Sequence, residues 1–145
     1  MTGLLTGDDL LARAEAALAV ALPDALGVEF VDPYAPLDGV VLPVAGIAVT
    51  PAATAHAAAL GAAIELAGYL AVLPTLTAAQ HAVTHQISTQ YLRPARAGQR
   101  VRVVGCLVRR AREVAFVTVT ANLEDGPERP VALSQVTKSV VGAAT

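Results

Sequence analysis

Glu65 is the residue of this chain whose placement calls most for a chemical explanation. It sits in the middle of Ala55–Leu73, an almost wholly apolar stretch built mainly of alanine. A carboxyl among apolar side chains is paired, protonated or turned towards a cavity. No Lys or Arg lies three or four residues away from it, so the helix offers no partner of its own. Desolvation would raise its pKa towards the range useful for acid–base chemistry. The alternative is a buried Glu satisfied by sheet hydroxyls or by a second copy of the chain. His56 stands nine residues earlier, about 13 Å along a helix axis, too far to pair directly. Near a helix N-terminus it lies beside free backbone N–H groups, which bind anions and stabilise developing negative charge. A lone His there also serves as a cap or packing residue. His81 and His85 lack metal-ligand spacing, and no metal is expected. No GxSxG elbow, P-loop or dinucleotide fingerprint occurs.

These residues need a scaffold, and the composition bounds it. A chain of 145 residues suits one domain with one core. Apolar residues make up 54% and charged residues 15%, against a usual charged share of about 25%. That excludes a disordered chain and implies extra buried surface, as in an oligomer. A net charge of -2 excludes a generally basic nucleic-acid binder, and 3% aromatic residues leave few stacking platforms for single strands. The single cysteine, Cys106, excludes an intramolecular disulfide framework. It reads as a small apolar strand residue, and a cytoplasmic location is the simplest expectation. No signal peptide is expected, because the start lacks a basic region and carries Asp8 and Asp9. Ala55–Leu73 is long enough to span a bilayer, but Glu65 at its centre would be costly in lipid. It reads as a soluble helix buried on nearly every side.

Charge is divided unevenly. Residues 1–92 hold eight acids and one base, Arg13, whereas residues 93–145 hold nine bases and four acids. Seven of those bases, Arg93, Arg96, Arg100, Arg102, Arg109, Arg110 and Arg112, follow one another without an intervening acid. Arginine forks suit phosphate groups. A solvated strand face pairing with the acidic half explains the run equally well.

Periodicity supplies the elements. Leu10, Leu11, Ala14, Ala17, Leu18 and Ala21 recur at helical spacing after Asp8-Asp9, with Pro23 as the expected stop. Val28–Val31 and Val40–Leu42 read as strands. A long helix is expected from about Thr54 to Leu73, entered after Pro51 and stopped by Pro74. Ala82–Leu92, Arg100–Arg110, Glu113–Leu123 and Arg129–Val141 read as strands of an antiparallel meander with short connections. The fold class expected is α+β: about six antiparallel strands around one enclosed apolar helix, plus an N-terminal helix. A helical segment over 1–24 would precede a single domain over 25–145.

The order of elements and particular residues together resemble the hotdog fold, specifically the acyl-CoA thioesterases of the phenylacetate-pathway type. The resemblance covers about residues 25–141. That family has Asn-Pro, a Gly, then His-Gly-Gly opening the central helix, with an acid nine residues after the His. Here the stretch reads Thr50-Pro51-Ala52-Ala53-Thr54-Ala55-His56-Ala57-Ala58, then Glu65. The segment Leu92-Arg93-Pro94-Ala95, with Gly98 before a long strand, matches the strand-turn signature. The resemblance implies that Glu65 acts as base or nucleophile at a thioester and that the Ala57 N–H beside His56 polarises its carbonyl. It further implies that Thr84 assists water and that Arg93 and Arg96 meet coenzyme A phosphates. The coenzyme enters as part of the substrate, with no separate cofactor. The site is expected to form across a homodimer or tetramer. Thr50 stands where the family has Asn, Ala53 where it has Gly, and Ala57 and Ala58 where it has the two helix-start glycines. A backbone N–H survives a Gly→Ala change, but the added methyls narrow the approach to it. A catalytically silent hotdog protein that binds an acyl group or serves as an assembly partner is therefore the second reading, with a hotdog dehydratase a weaker third.

Overall fold

The computed structural model describes residues 3–142. The outermost residues of the segment expected over 1–24 and of the domain expected over 25–145 lie outside them. The elements run α1 (Gly7–Leu18), α2 (Ala21–Leu26), β1 (Glu29–Phe30), β2 (Val40–Pro43), α3 (Ala57–Val72), β3 (Gln80–Tyr91), β4 (Arg100–Arg110), β5 (Val114–Leu123) and β6 (Gly126–Gly142). All six strands form one antiparallel sheet in the order β1-β2-β4-β5-β6-β3. The sheet lays its apolar face against α3, giving the α+β hotdog architecture. Alternation on β5 shows why: Ala115, Val117, Val119 and Ala121 are buried, while Phe116, Thr118 and Thr120 point outwards.

Helix and sheet approach closely where side chains are smallest. A Cβ built on Gly105 of β4 would lie 2.5 Å from the Ala67 carbonyl oxygen and 3.0 Å from the Ala71 Cβ. Glycine and alanine at this crossing bring the α3 backbone down onto the sheet. Ala63, Ile64, Ala67, Leu70 and Val72 of α3 are then buried in the same core as Val101, Val103, Val117 and Val136. The stretch Ala57–Thr75 is long and apolar enough to cross a bilayer by length and composition, and 61% of its 18-residue apolar window is buried within this fold. It is the core helix.

Four expectations need correcting. Pro23 does not end a single N-terminal helix: the chain breaks after Leu18 and restarts, and Pro23 lies in the first turn of α2. Proline is tolerated there because the first N–H groups of a helix have no partner within it. The long helix begins at Ala57, not Thr54. The Ala55 N–H donates to the Ala95 carbonyl and the His56 N–H to the Ala48 carbonyl, which holds the approach extended. The meander is interrupted, since only β4-β5-β6 run consecutively and β3 pairs with β6 at the sheet edge. Finally, α3 is less enclosed than the burial expected on nearly every side. Ala57 and Ala58 at its start and Glu65 are exposed, and Gly61, Ala62 and Tyr69 are only half-buried. These residues share one open stripe at helical spacing.

Candidate active site

Glu65 lies on that open stripe, with its side chain 51% exposed. The apolar neighbours in sequence face the sheet, so the full desolvation expected for this carboxyl does not occur. Its partner comes from a distant strand. Lys138 of β6 has a fully buried side chain, 0% exposed, and its Nζ lies 3.2 Å from Glu65 Oε1. The same Nζ donates to the Glu65 backbone carbonyl at 3.1 Å and to Thr84 Oγ1 at 2.9 Å. Thr84, on β3, donates its hydroxyl proton to Glu65 Oε1 at 3.1 Å. An ammonium has three protons, and here three acceptors take them. Burial lowers the pKa of the Lys138 ammonium, and attraction to Glu65 opposes that shift.

Register explains how these residues meet. Thr84 and Lys138 are paired across β3 and β6, just before the β3 ladder slips between Thr84 and Gln86. Side chains alternate along a strand, so Lys138 shares the inward face of β6 with Val136 and Val140, which are also buried. Gly68 of α3 packs directly over this face: a Cβ there would lie 3.2 Å from Val136 Cγ1 and 3.5 Å from Lys138 Cε. Sequence reasoning missed Lys138, although two signals mark it. It is the only lysine among ten basic residues, and strand alternation assigns it to the core side.

Beside Glu65 runs a cleft of about 410 Å³, walled by Val20, Leu22, Ala62, Leu66, Tyr69 and Val83 among others. Its lining is mainly apolar, with Glu65, Tyr69 and His81 as the polar groups.

The α3 N-terminus holds the other expected residues. His56 is the N-cap, and its Nδ1 accepts from the Ala58 N–H at 3.1 Å. That bond fixes Nδ1 as the unprotonated ring nitrogen and occupies the second helical N–H. Among the described residues nothing accepts from the Ala57 N–H, which leaves it open to an external oxygen. The Ala57 carbonyl accepts from the Tyr91 hydroxyl at 3.2 Å. Tyr91, Arg93 and Ala57 line one shallow cleft of about 330 Å³. The Arg93 and Arg96 side chains are exposed, and the Arg96 backbone N–H donates to Gln99 Oε1.

Thr50 is not brought to Glu65. Its hydroxyl lies 2.9 Å from the Thr54 hydroxyl and accepts from the Thr54 N–H at 3.3 Å, stapling a tight loop. Ala53 in that loop has φ 59°, the only positive φ among the described non-glycine residues. The methyl group is strained here, whereas Ala57 and Ala58 are ordinary helical residues.

The arginine run divides. Arg100 joins Glu29 at 2.5 Å and Glu124 at 2.9 Å, which raises its pKa. Arg102 donates to the Asp38 carbonyl, and Arg110 to Thr75 Oγ1 and to the Ala111 and Arg112 carbonyls. These three tie loops to the sheet. Among the described residues no three His, Cys, Asp or Glu side chains gather as a metal site would need.

A carboxylate on the central helix of a curled sheet, with an open N–H at the helix start, is the arrangement of a hotdog protein. Residues 52–129, more than half of the chain, match the family model of the Thioesterase superfamily, and the chain belongs to that family. Among solved structures, a thioesterase from Haemophilus influenzae is 21% identical with a TM-score of 0.83, covering 100% of this chain and 98% of its own. A protein from Bacillus halodurans solved with CoA is 23% identical, with a TM-score of 0.75 over 91% of this chain and 83% of its own. The PaaI protein of the E. coli phenylacetic acid degradation operon is 16% identical, with a TM-score of 0.70 over 90% and 92%. Likeness at these identities establishes the shared fold. A search of the curated proteins finds no match.

Proposed function

We propose that the chain is an acyl-CoA thioesterase in which Glu65 activates water. The observation that carries this reading is the carboxylate itself: held at one oxygen by Thr84 and Lys138, half open to solvent and bordering an apolar cleft. In this reading water attacks the thioester carbonyl carbon as Glu65 takes its proton. The C–S bond then breaks, and the proton passes to the departing thiolate, giving a carboxylic acid and the free thiol of coenzyme A. The Ala57 N–H receives the negative oxygen that forms on the way. Family membership supports the reaction class, and the B. halodurans neighbour solved with CoA supports the substrate class.

One chain cannot supply both groups to one carbonyl. Eight residues of helix separate Ala57 from Glu65, about 12 Å along the axis, whereas a reacting carbonyl needs both within about 3 Å. A homodimer, or a tetramer of such dimers, brings the Ala57 N–H of one copy to the Glu65 of another. The unpaired edge of β3, twelve residues long, offers a surface for such pairing. In this reading Arg93, which lines the cleft with Ala57, and the exposed Arg96 meet the coenzyme phosphates.

Turnover of a panel of aliphatic and aromatic acyl-CoAs, followed by release of free thiol, tests the proposal. Hydrolysis of at least one panel member well above the uncatalysed rate is expected. Binding without turnover across the panel would favour the catalytically silent acyl-binding reading instead.

A further inference from the structure

Two polar groups converge on the Glu65 carboxylate, and they do so on one side only. Oε1 accepts from Thr84 Oγ1 and from Lys138 Nζ, at 3.1 and 3.2 Å. Among the described residues nothing donates to Oε2. The direction of every bond in the cluster is settled by counting protons. Thr84 has one, which goes to Oε1, so its oxygen accepts from Lys138. Lys138 needs three protons to serve Oε1, the Glu65 carbonyl and Thr84 together. A neutral amine has two, and its lone pair would face a carbonyl, a carboxylate or a hydroxyl oxygen. The arrangement therefore fits an ammonium and leaves no buried side-chain polar atom unpaired among the described residues.

We propose that Lys138 is a positioning residue: with Thr84 it anchors Oε1 of Glu65 and thereby assigns Oε2 as the oxygen that meets the attacking water. This rests on the thioesterase reading above and extends it to a residue that never touches substrate. Thr84 accordingly positions the carboxylate and has no proton left to offer water. An unanchored glutamate on an open helix stripe rotates among several rotamers, and the Oε1 anchor selects one of them. The covalent reach of this device is long, since 73 residues separate Glu65 from Lys138, so β6 must be in place before the carboxylate is set.

Lys138 is the only lysine of the chain, which makes the test direct. In protein labelled with ¹⁵N-lysine, side-chain NMR shows one Nζ resonance. It is expected as a slowly exchanging ammonium at neutral pH, and it should shift in Glu65→Gln. A rapidly exchanging Nζ indifferent to Glu65→Gln would overturn the assignment without any enzyme assay. Kinetics supply the second arm. Lys138→Met fills the same space without a charge, and kcat should fall about 10²-fold, the cost of a misplaced catalytic group. KM should stay within about threefold, because the anchor is not a binding contact. Thr84→Val should lower kcat in the same sense and Thr84→Ser restore most of it, so the result stands even where Lys138→Met folds poorly. Full activity in Lys138→Met or in Thr84→Val beside an active wild type overturns this proposal alone. A wild type that hydrolyses no acyl-CoA contradicts the function proposed above, and the lysine resonance still decides the arrangement.

Discussion

Removing either partner of the Glu65–Lys138 pair should have unequal consequences for stability, because the pair is buried on one side only. Lys138 is 0% exposed and Glu65 is 51% exposed. Glu65→Gln leaves the ammonium in the core with its counter-charge gone. Stranding a buried charge costs about 3–5 kcal/mol. The amide oxygen still accepts one hydrogen bond from Nζ, so the lower end, about 3 kcal/mol, is expected. At roughly 2–4 °C per kcal/mol for a domain of this size, the thermal midpoint should drop by roughly 6–12 °C. Lys138→Met leaves only a carboxylate that water already solvates and that Thr84 still contacts. Its stability should lie between unchanged and about 2 kcal/mol above wild type. The double variant should then resemble Lys138→Met alone, as coupled neighbours do. Urea denaturation of the four proteins, read by circular dichroism, gives all the values needed. Equal losses in the two single variants, adding up in the double, would refute the one-sided burial on which this rests.

Three further outcomes follow from the same geometry. Burial depresses the Lys138 pKa, so between that lowered value and the ordinary lysine value of 10.5 the unfolded chain binds more protons than the native one. Wild-type stability should therefore gain on Lys138→Met as pH rises through this interval, while the difference between them stays constant below it; urea midpoints from pH 7 to 10.5 check this. Ala53 at φ 59° bears the left-handed strain of an L-residue, roughly 1–2 kcal/mol. Ala53→Gly should stabilise by about 0.5–1 kcal/mol once the extra freedom of unfolded glycine is counted, measured by the same midpoint. Arg93→Ala and Arg96→Ala should raise KM for acyl-CoA more than they lower kcat, and added salt should shrink the difference; steady-state kinetics at two ionic strengths decide it.

The sheet was most legible where its strands alternate, as in β5 and the start of β4. Arg100–Arg110 reads as a strand from sequence and is β4 in the structure, since Val101 and Val103 face the core while Arg100 and Arg102 do not. Strand neighbours were less legible, because alternation within β3 says nothing about whether it pairs with β4 or β6. Pro23 misled for a related reason: proline stops a helix interior yet is welcome in a first turn, and the sequence alone does not say which it occupies. At the site, Glu65 was conspicuous as the lone charge in its helix, and its helix stripe was not. An alanine-rich helix carries little amphipathic contrast, so Ala58, Ala62 and Glu65 gave no sign of an open side. Lys138 was hidden by its sequence distance from Glu65, because strand alternation places it on the core side without naming the helix residue it meets. The Ala57 N–H is a backbone group, and the role proposed for it rests on where the helix begins rather than on any side chain.

The central claim is that Glu65 performs thioester hydrolysis, and kcat of Glu65→Gln measures it most directly. The assay follows thiol release from the best acyl-CoA substrate, at a temperature where the urea curves show the variant fully folded. A positioned acid or base contributes about 10²–10⁴-fold, so kcat per folded molecule should fall by that factor with the fold intact. A folded Glu65→Gln protein that turns over as fast as wild type would contradict the account.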